Sequence, residues 1–227
     1  MSRRLTAGLL LCFCFSFLGC PQKETLPTHA WIRALTPGSV WGLTVDATLD
    51  GGYIMGGGYD SQYSMYALKL TATGNDDWGM VYSNRTDDNN NTELWRHEAR
   101  GARQTSDGGY VVLGSGSSSA SGTNSFVLLK TDSDGKPDWT KYYAPANPYD
   151  SGEPCVINDP AALQITDDGG YMIAGHSYVG KYHLASIVKT DADGEVEFCK
   201  VINDNEREYE QIIVAAQQTP DHGYILA

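Results

Sequence analysis

Apolar residues in this chain come in short continuous runs, four to a unit, and the unit recurs. A first run, strand A, covers residues 40–45, 99–104, 161–165 and 212–216, and a second, strand B, covers 53–55, 110–113, 171–174 and 224–226. Strand C follows at 65–68, 126–129 and 186–188, and strand D at 78–82, 139–143 and 198–202. The runs are apolar throughout rather than alternating, as expected for sheets covered on both faces.

Polar residues punctuate these runs in a fixed order. Thr-x-Asp-Gly-Gly-Tyr separates A from B, with Thr48, Asp50, Gly51, Gly52 and Tyr53 in the first copy. Thr105, Asp107, Gly108, Gly109 and Tyr110 form the second, and Thr166, Asp168, Gly169, Gly170 and Tyr171 the third. A fourth begins at Thr219, Asp221, Gly223 and Tyr224. The steps from Asp50 to Asp107, Asp168 and Asp221 are 57, 61 and 53 residues, a period of arrays or propellers. Aspartate can bond the backbone two residues on, and glycine accepts positive φ, so the motif predicts an A–B hairpin.

After strand C come a lysine, a glycine five later and an aromatic four after that. These are Lys69, Gly74 and Trp78, then Lys130, Gly135 and Trp139, then Lys189, Gly194 and Phe198. Asp132 to Gly135 and Asp191 to Gly194 read as C–D hairpins. Calcium is the alternative cofactor for these acidic turns. The first copy has Thr71-Ala72-Thr73-Gly74 there, so the repeat does not need carboxylates at this turn.

Repeated four-stranded meanders predict an all-β chain, a β-propeller of antiparallel blades with the late aromatic filling the wedge between neighbours. The blades fall at about 38–83, 95–144, 158–203 and 210–227. Three are complete and the fourth has strands A and B only, while Trp31 to Leu35 resembles an isolated strand D. Closure takes about 4–8 blades, so the expectation is the N-terminal part of a longer protein or a truncated reading frame.

The spaced Asp-Gly-Gly-Tyr, Leu-x-Lys and Gly-x-x-x-Trp features resemble those of uncharacterised exported propeller repeats of bacteria and archaea, over about residues 38–227. That resemblance implies the fold and leaves activity open. Residues 67–78, Ala-Leu-Lys-Leu-Thr-Ala-Thr-Gly-Asn-Asp-Asp-Trp, also look like the tryptophan-docking motif of quinoprotein propellers and of the outer-membrane assembly lipoprotein that shares their fold. The second and third copies depart from it, with Asp134-Gly135 and Asp193-Gly194 in place of Thr-Gly. The sialidase Asp-box, Asp-x-Gly-x-x-Trp, is not matched, since Asp134 and Gly135 are adjacent.

Upstream, residues 1–19 read as an export signal, with Arg3 and Arg4, an apolar run from 7 to 18, and Gly19 before Cys20. The run is shorter than the ~20 residues that span a bilayer. Phe17-Leu18-Gly19-Cys20 resembles the lipobox of bacterial lipoproteins, which implies Cys20 as the acylated first residue of the mature chain. Residues 20–30 then form the acylated cysteine and tether, and 31–227 the partial propeller. The expected location is the bacterial cell envelope, at the outer membrane or cell surface, with the membrane a partner through this lipid. Of the five cysteines, Cys155 and Cys199 remain in the body of the domain, either as a disulfide or as two small buried hydrophobes.

The formal charge is −12, and about −14 once Arg3 and Arg4 leave with the signal, which excludes a phosphate backbone as partner. Recognition is expected where the copies differ. The A–B and C–D turns share one rim and are alike, whereas the B–C and D–A connections at 83–98, 115–124, 144–160 and 177–183 vary on the other. Their candidate ligand-binding residues are Asp87, Asp88, Trp95 and His97, then Tyr149 and Asp150 with Glu153, and His176 with His183, which flank a B–C loop and can approach each other. Ordinary solvated loops are the alternative. The five histidines have no metal-ligand spacing, and no nucleophile elbow or phosphate-binding glycine loop occurs. The expected function is a non-catalytic, lipid-anchored propeller that binds a protein or glycan outside the cytoplasm. Alternatives are a propeller enzyme, either a quinoprotein-like oxidoreductase or a glycan-active hydrolase with its site in further blades, and an envelope assembly factor.

Overall fold

In a computed structural model of the chain, the described residues are 40–59, 64–83, 85–86, 92–95, 98–118, 125–145, 157–179, 182–202 and 211–227. They contain strands and turns and no helix. The first sheet takes β1 (Val40–Ala47), β2 (Tyr53–Tyr59), β3 (Ser64–Leu70) and β4 (Asp76–Tyr82) in sequential antiparallel order. The second has β5 (Arg85–Thr86), β6 (Thr92–Trp95), β7 (Gly101–Gln104), β8 (Tyr110–Ser118), β9 (Ser125–Thr131) and β10 (Pro137–Tyr143). Here β6 and β7 pair with successive parts of β8, so together they supply strand A. The third runs β11 (Ile157–Ile165), β12 (Tyr171–Val179), β13 (Tyr182–Thr190) and β14 (Val196–Ile202), and the last is the hairpin β15 (Ala216–Gln218) and β16 (Tyr224–Leu226). The predicted A, B, C and D runs thus form three meanders, and A and B alone the final hairpin, in a propeller-like arrangement.

Three expectations need correction. The fourth inner strand begins at Ala216 rather than 212, because the amides of Val214 and Ala215 both donate to the Ala227 carbonyl, at 2.7 and 3.1 Å, and bulge the chain. The same bulge interrupts β1 at Leu43, the lead-in to β7 at Arg100 and β11 at Ala161. Bulges bend a strand and re-aim what lies beyond. Trp95 ends β6 instead of lying in an open loop, and His176 and His183 stand within β12 and β13, which extend to Val179 and from Tyr182.

Cores lie between successive sheets. Tyr110, Val112, Val127 and Leu129 pack with Ile54, Met65, Ala67 and Tyr82 of the first sheet, while Val111, Leu113, Phe126 and Leu128 pack with Leu163, Tyr171, Ile173 and Val188 of the third. Alternate residues of one strand therefore face different neighbours, which is why the runs are apolar at every position.

The late aromatic joins each sheet to the next. The Trp78 ring meets Tyr110 edge-on at 5.2 Å, and its Nε1 donates to the Ser133 carbonyl at 3.0 Å. Four residues on, the Tyr82 hydroxyl donates to the Gly135 carbonyl at 2.9 Å, and Tyr143 does the same to Gly194. At the third junction Phe198 packs on Tyr224 at 6.1 Å, but Phe198 and Ile202 stand where the other sheets have these two donors. Tyr82→Phe is expected to cost about 1–2 kcal/mol, the loss of a buried hydrogen bond that strands its acceptor. A urea midpoint measures it, and an unchanged midpoint would show that the clasp contributes nothing.

Candidate functional site

The two rims of these sheets are chemically different. On the A–B turn rim, Asp107 Oδ1 accepts from the Thr105 hydroxyl at 2.5 Å and the Gly109 amide at 3.0 Å. Its other oxygen accepts from Lys130 Nζ at 2.8 Å, and that ammonium also donates to the Thr131 carbonyl at 3.0 Å and faces Asp138 at 3.8 Å. Lys69 binds Asp50 at 2.7 Å and the Leu70 carbonyl at 3.0 Å. Lys189 binds Asp168 and the Thr190 carbonyl, both at 2.8 Å, and Glu197 at 3.1 Å. All three lysines are buried.

The lysine, threonine and glycine donors hold Asp107 and Asp168 down at about 2 against an opposing effect of burial, and hold Asp50 lower still. For Lys189, burial works against the charge, and Asp168 and Glu197 more than offset it, so its pKa is raised. These groups are consumed in pairing one another. The acidic C–D turn behaves likewise, as Asp132 accepts from the Asp134 and Lys136 amides at 2.9 and 2.8 Å. Among the described residues no group of three or more His, Cys, Asp or Glu side chains is placed to hold a metal ion.

The opposite rim departs from the repeat at the third sheet. In the first sheet Trp41 pairs across strands with Gly58, and the indole lies where a Cβ on that glycine would be, 2.5 Å away. In the third the equivalent pair is Asp159 and His176. The His176 Nε2 lies 3.7 Å from Asp159 Oδ2 and 3.3 Å from the Tyr178 hydroxyl, which donates to Asp159 at 3.4 Å. The cross-strand partner of Tyr178 is His183, with ring centroids 4.2 Å apart, and the His176 and His183 rings stack at 5.4 Å and 14°. Behind this face, the Ser177 and Ser186 hydroxyls bond at 2.7 Å and tie β12 to β13.

Burial lowers the His176 pKa, aided by the charges of His183 and Arg100 and opposed by Asp159, so the ring is neutral at pH 7. The cluster therefore offers a neutral imidazole, a carboxylate and a phenol on one face of a sheet end. Such a set can donate to and accept from a hydroxyl-rich or peptide ligand, with aromatic faces for stacking.

Of the residues singled out from sequence, the structure brings His176 and His183 together and places Trp95 at the end of β6. Cys199 is exposed on β14. Cys20, Asp87, Asp88, His97, Tyr149, Asp150, Glu153 and Cys155 lie outside the described residues, as does the Cys155–Cys199 pairing. Sequence reading missed Asp159 and Tyr178. The available signal was alignment of the copies, since the fifth residue after the motif tyrosine is Gly58, Ser115 and then His176.

No protein-family model and no curated protein matches the chain. Among solved structures it is similar to a protein of unknown function from Bacteroides caccae, with 12% identity and a TM-score of 0.42, over 76% of this chain and 49% of that one. The chain thus spans about half the length of that protein.

Proposed function

We propose that the three meanders and the final hairpin belong to a β-propeller that is exported, anchored at Cys20 by lipid, and used to bind a protein or glycan partner without turning it over. The observation that carries the reading is the contrast between rims. Motif residues are spent on the Asp–Lys pairs and aromatic clasps, whereas the third sheet replaces a packed Trp–Gly pair with Asp159, His176, Tyr178 and His183. Rigid sheets carrying divergent ends are a usual layout for recognition. The lipobox-like residues 17–20 support the anchor and the envelope location.

The test is a screen of the full-length chain against envelope glycans and purified envelope proteins, with product analysis on every hit. Binding without product is expected. Turnover would overturn the non-catalytic reading, and recovery of the chain without attached lipid would overturn the anchor.

A further inference from the structure

The imidazole stack has more positive charge around it than negative charge to receive it once acidified. His176 is faced by Asp159 from β11, by Tyr178 on its own strand and by His183 from β13. The charge of Arg100, from the lead-in to β7, also acts on it, and Arg100 is paired with Glu98 at 3.4 Å. The lead-in to β15 adds Gln211 and Ile213 and no charged group among the described residues, and the Gln211 amide donates to the His183 carbonyl at 3.0 Å. At neutral pH two carboxylates face one guanidinium. Protonation of both rings sets three cations, two of them stacked 5.4 Å apart, against the same two carboxylates.

We propose that His176 and His183 form an acid-sensitive latch: stacked and closed when neutral, it opens the ends of β12 and β13 when both rings take up protons. Like charges at this spacing in a half-buried site repel by far more than in bulk water. The sign follows from the lowered His176 pKa. The folded state binds this proton less readily than the unfolded state, so the contribution to stability is complete above the usual histidine value of 6.5 and is lost as pH falls below it. Because the His183 carbonyl receives Gln211, opening also loosens the approach to the fourth hairpin. The latch would regulate the binding surface proposed above and rests on that reading for its purpose, though not for its chemistry.

Hydrogen exchange of the full-length chain, read on peptides covering residues 171–190 at pH 7.5 and 5.5 and corrected for intrinsic rates, tests the latch. Exchange is expected to rise about tenfold on acidification, a loss of roughly 1.4 kcal/mol of local stability. His183→Phe keeps a ring without the charge, and should make the rise clearly smaller, leaving only the part that burial of His176 supplies. In the wild type, the imidazole NMR resonances of His176 should shift below pH 6.5 and follow the rise in exchange, a readout that needs no variant. Flat exchange from pH 7.5 to 5.5, or a rise that His183→Phe leaves intact, would overturn the latch. A His183→Ala chain that loses partner binding while wild-type exchange stays flat sinks the latch and keeps the binding surface. Acid-driven opening with partner binding unaffected keeps the latch and sinks the surface.

Discussion

Gly109→Ala is expected to destabilise the chain by about 3 kcal/mol or more, well beyond the typical point substitution. A Cβ at this position would sit 2.2 Å from the Thr131 carbonyl oxygen and 2.6 Å from Lys130 Nζ. The carbonyl belongs to a strand paired on both sides, and the ammonium is fixed by its own bonds, so neither can yield cheaply. Gly108 is the control. It has φ of 87° but nothing within 4 Å of its Cβ direction, so Gly108→Ala should cost only about 1–2 kcal/mol of backbone strain. Denaturant midpoints for the two variants separate close approach from turn conformation. Equal losses would mean that the double glycine serves the turn alone.

The second large effect is Lys130→Met, expected to cost about 2 kcal/mol at pH 7, the range for a buried hydrogen bond to a charged group. Asp107 is 61% exposed and rehydrates when its partner goes, which keeps the loss below that of a stranded buried charge. The deficit should depend on pH. Asp107 is held at about 2 against a usual 3.8, so its contribution is present above about pH 4 and is lost as pH falls toward 2. Removing Lys130 removes the largest cause of that depression. The gap between wild type and variant in urea titrations should therefore narrow from pH 5 to pH 2. A gap that stays constant would show that the lysine stabilises by packing, without its ion pair.

The strand pattern was legible because the second and third sheets are sandwiched between neighbours. Strands such as β9, buried at every position, leave no ambiguity of face, and the Asp-Gly-Gly turns fix where A ends and B begins. The reason for the second glycine was not legible. It depends on a lysine about twenty residues away curling over the hairpin, a contact that no local turn rule contains. The bulges at Leu43, Arg100, Ala161 and Val214 were equally hidden, since an arginine stands among three ordinary aliphatic residues at that position and the bulge lives in backbone register.

The candidate site was half legible. His176 and His183 stood out as histidines near a variable connection, yet the pairing of β12 with β13 was needed to stack them, and the bulge in β11 to bring Asp159 opposite. Tyr178 drew no notice among the chain's 14 tyrosines. Its role comes from standing across from His183 in register.

In the proposed function the repeated residues are scaffold and recognition sits where the third sheet leaves the repeat. Its most direct test is the dissociation constant of the glycan or envelope protein recovered with the full-length chain, measured for Asp159→Ala, His183→Ala and Lys136→Ala. Lys136 is an exposed turn-rim residue paired with exposed Asp134. At least about tenfold weaker binding is expected for each of the first two, roughly 1.4 kcal/mol, and less than about twofold change for the third. Weakened binding in Lys136→Ala with both rim variants at wild-type affinity would contradict it.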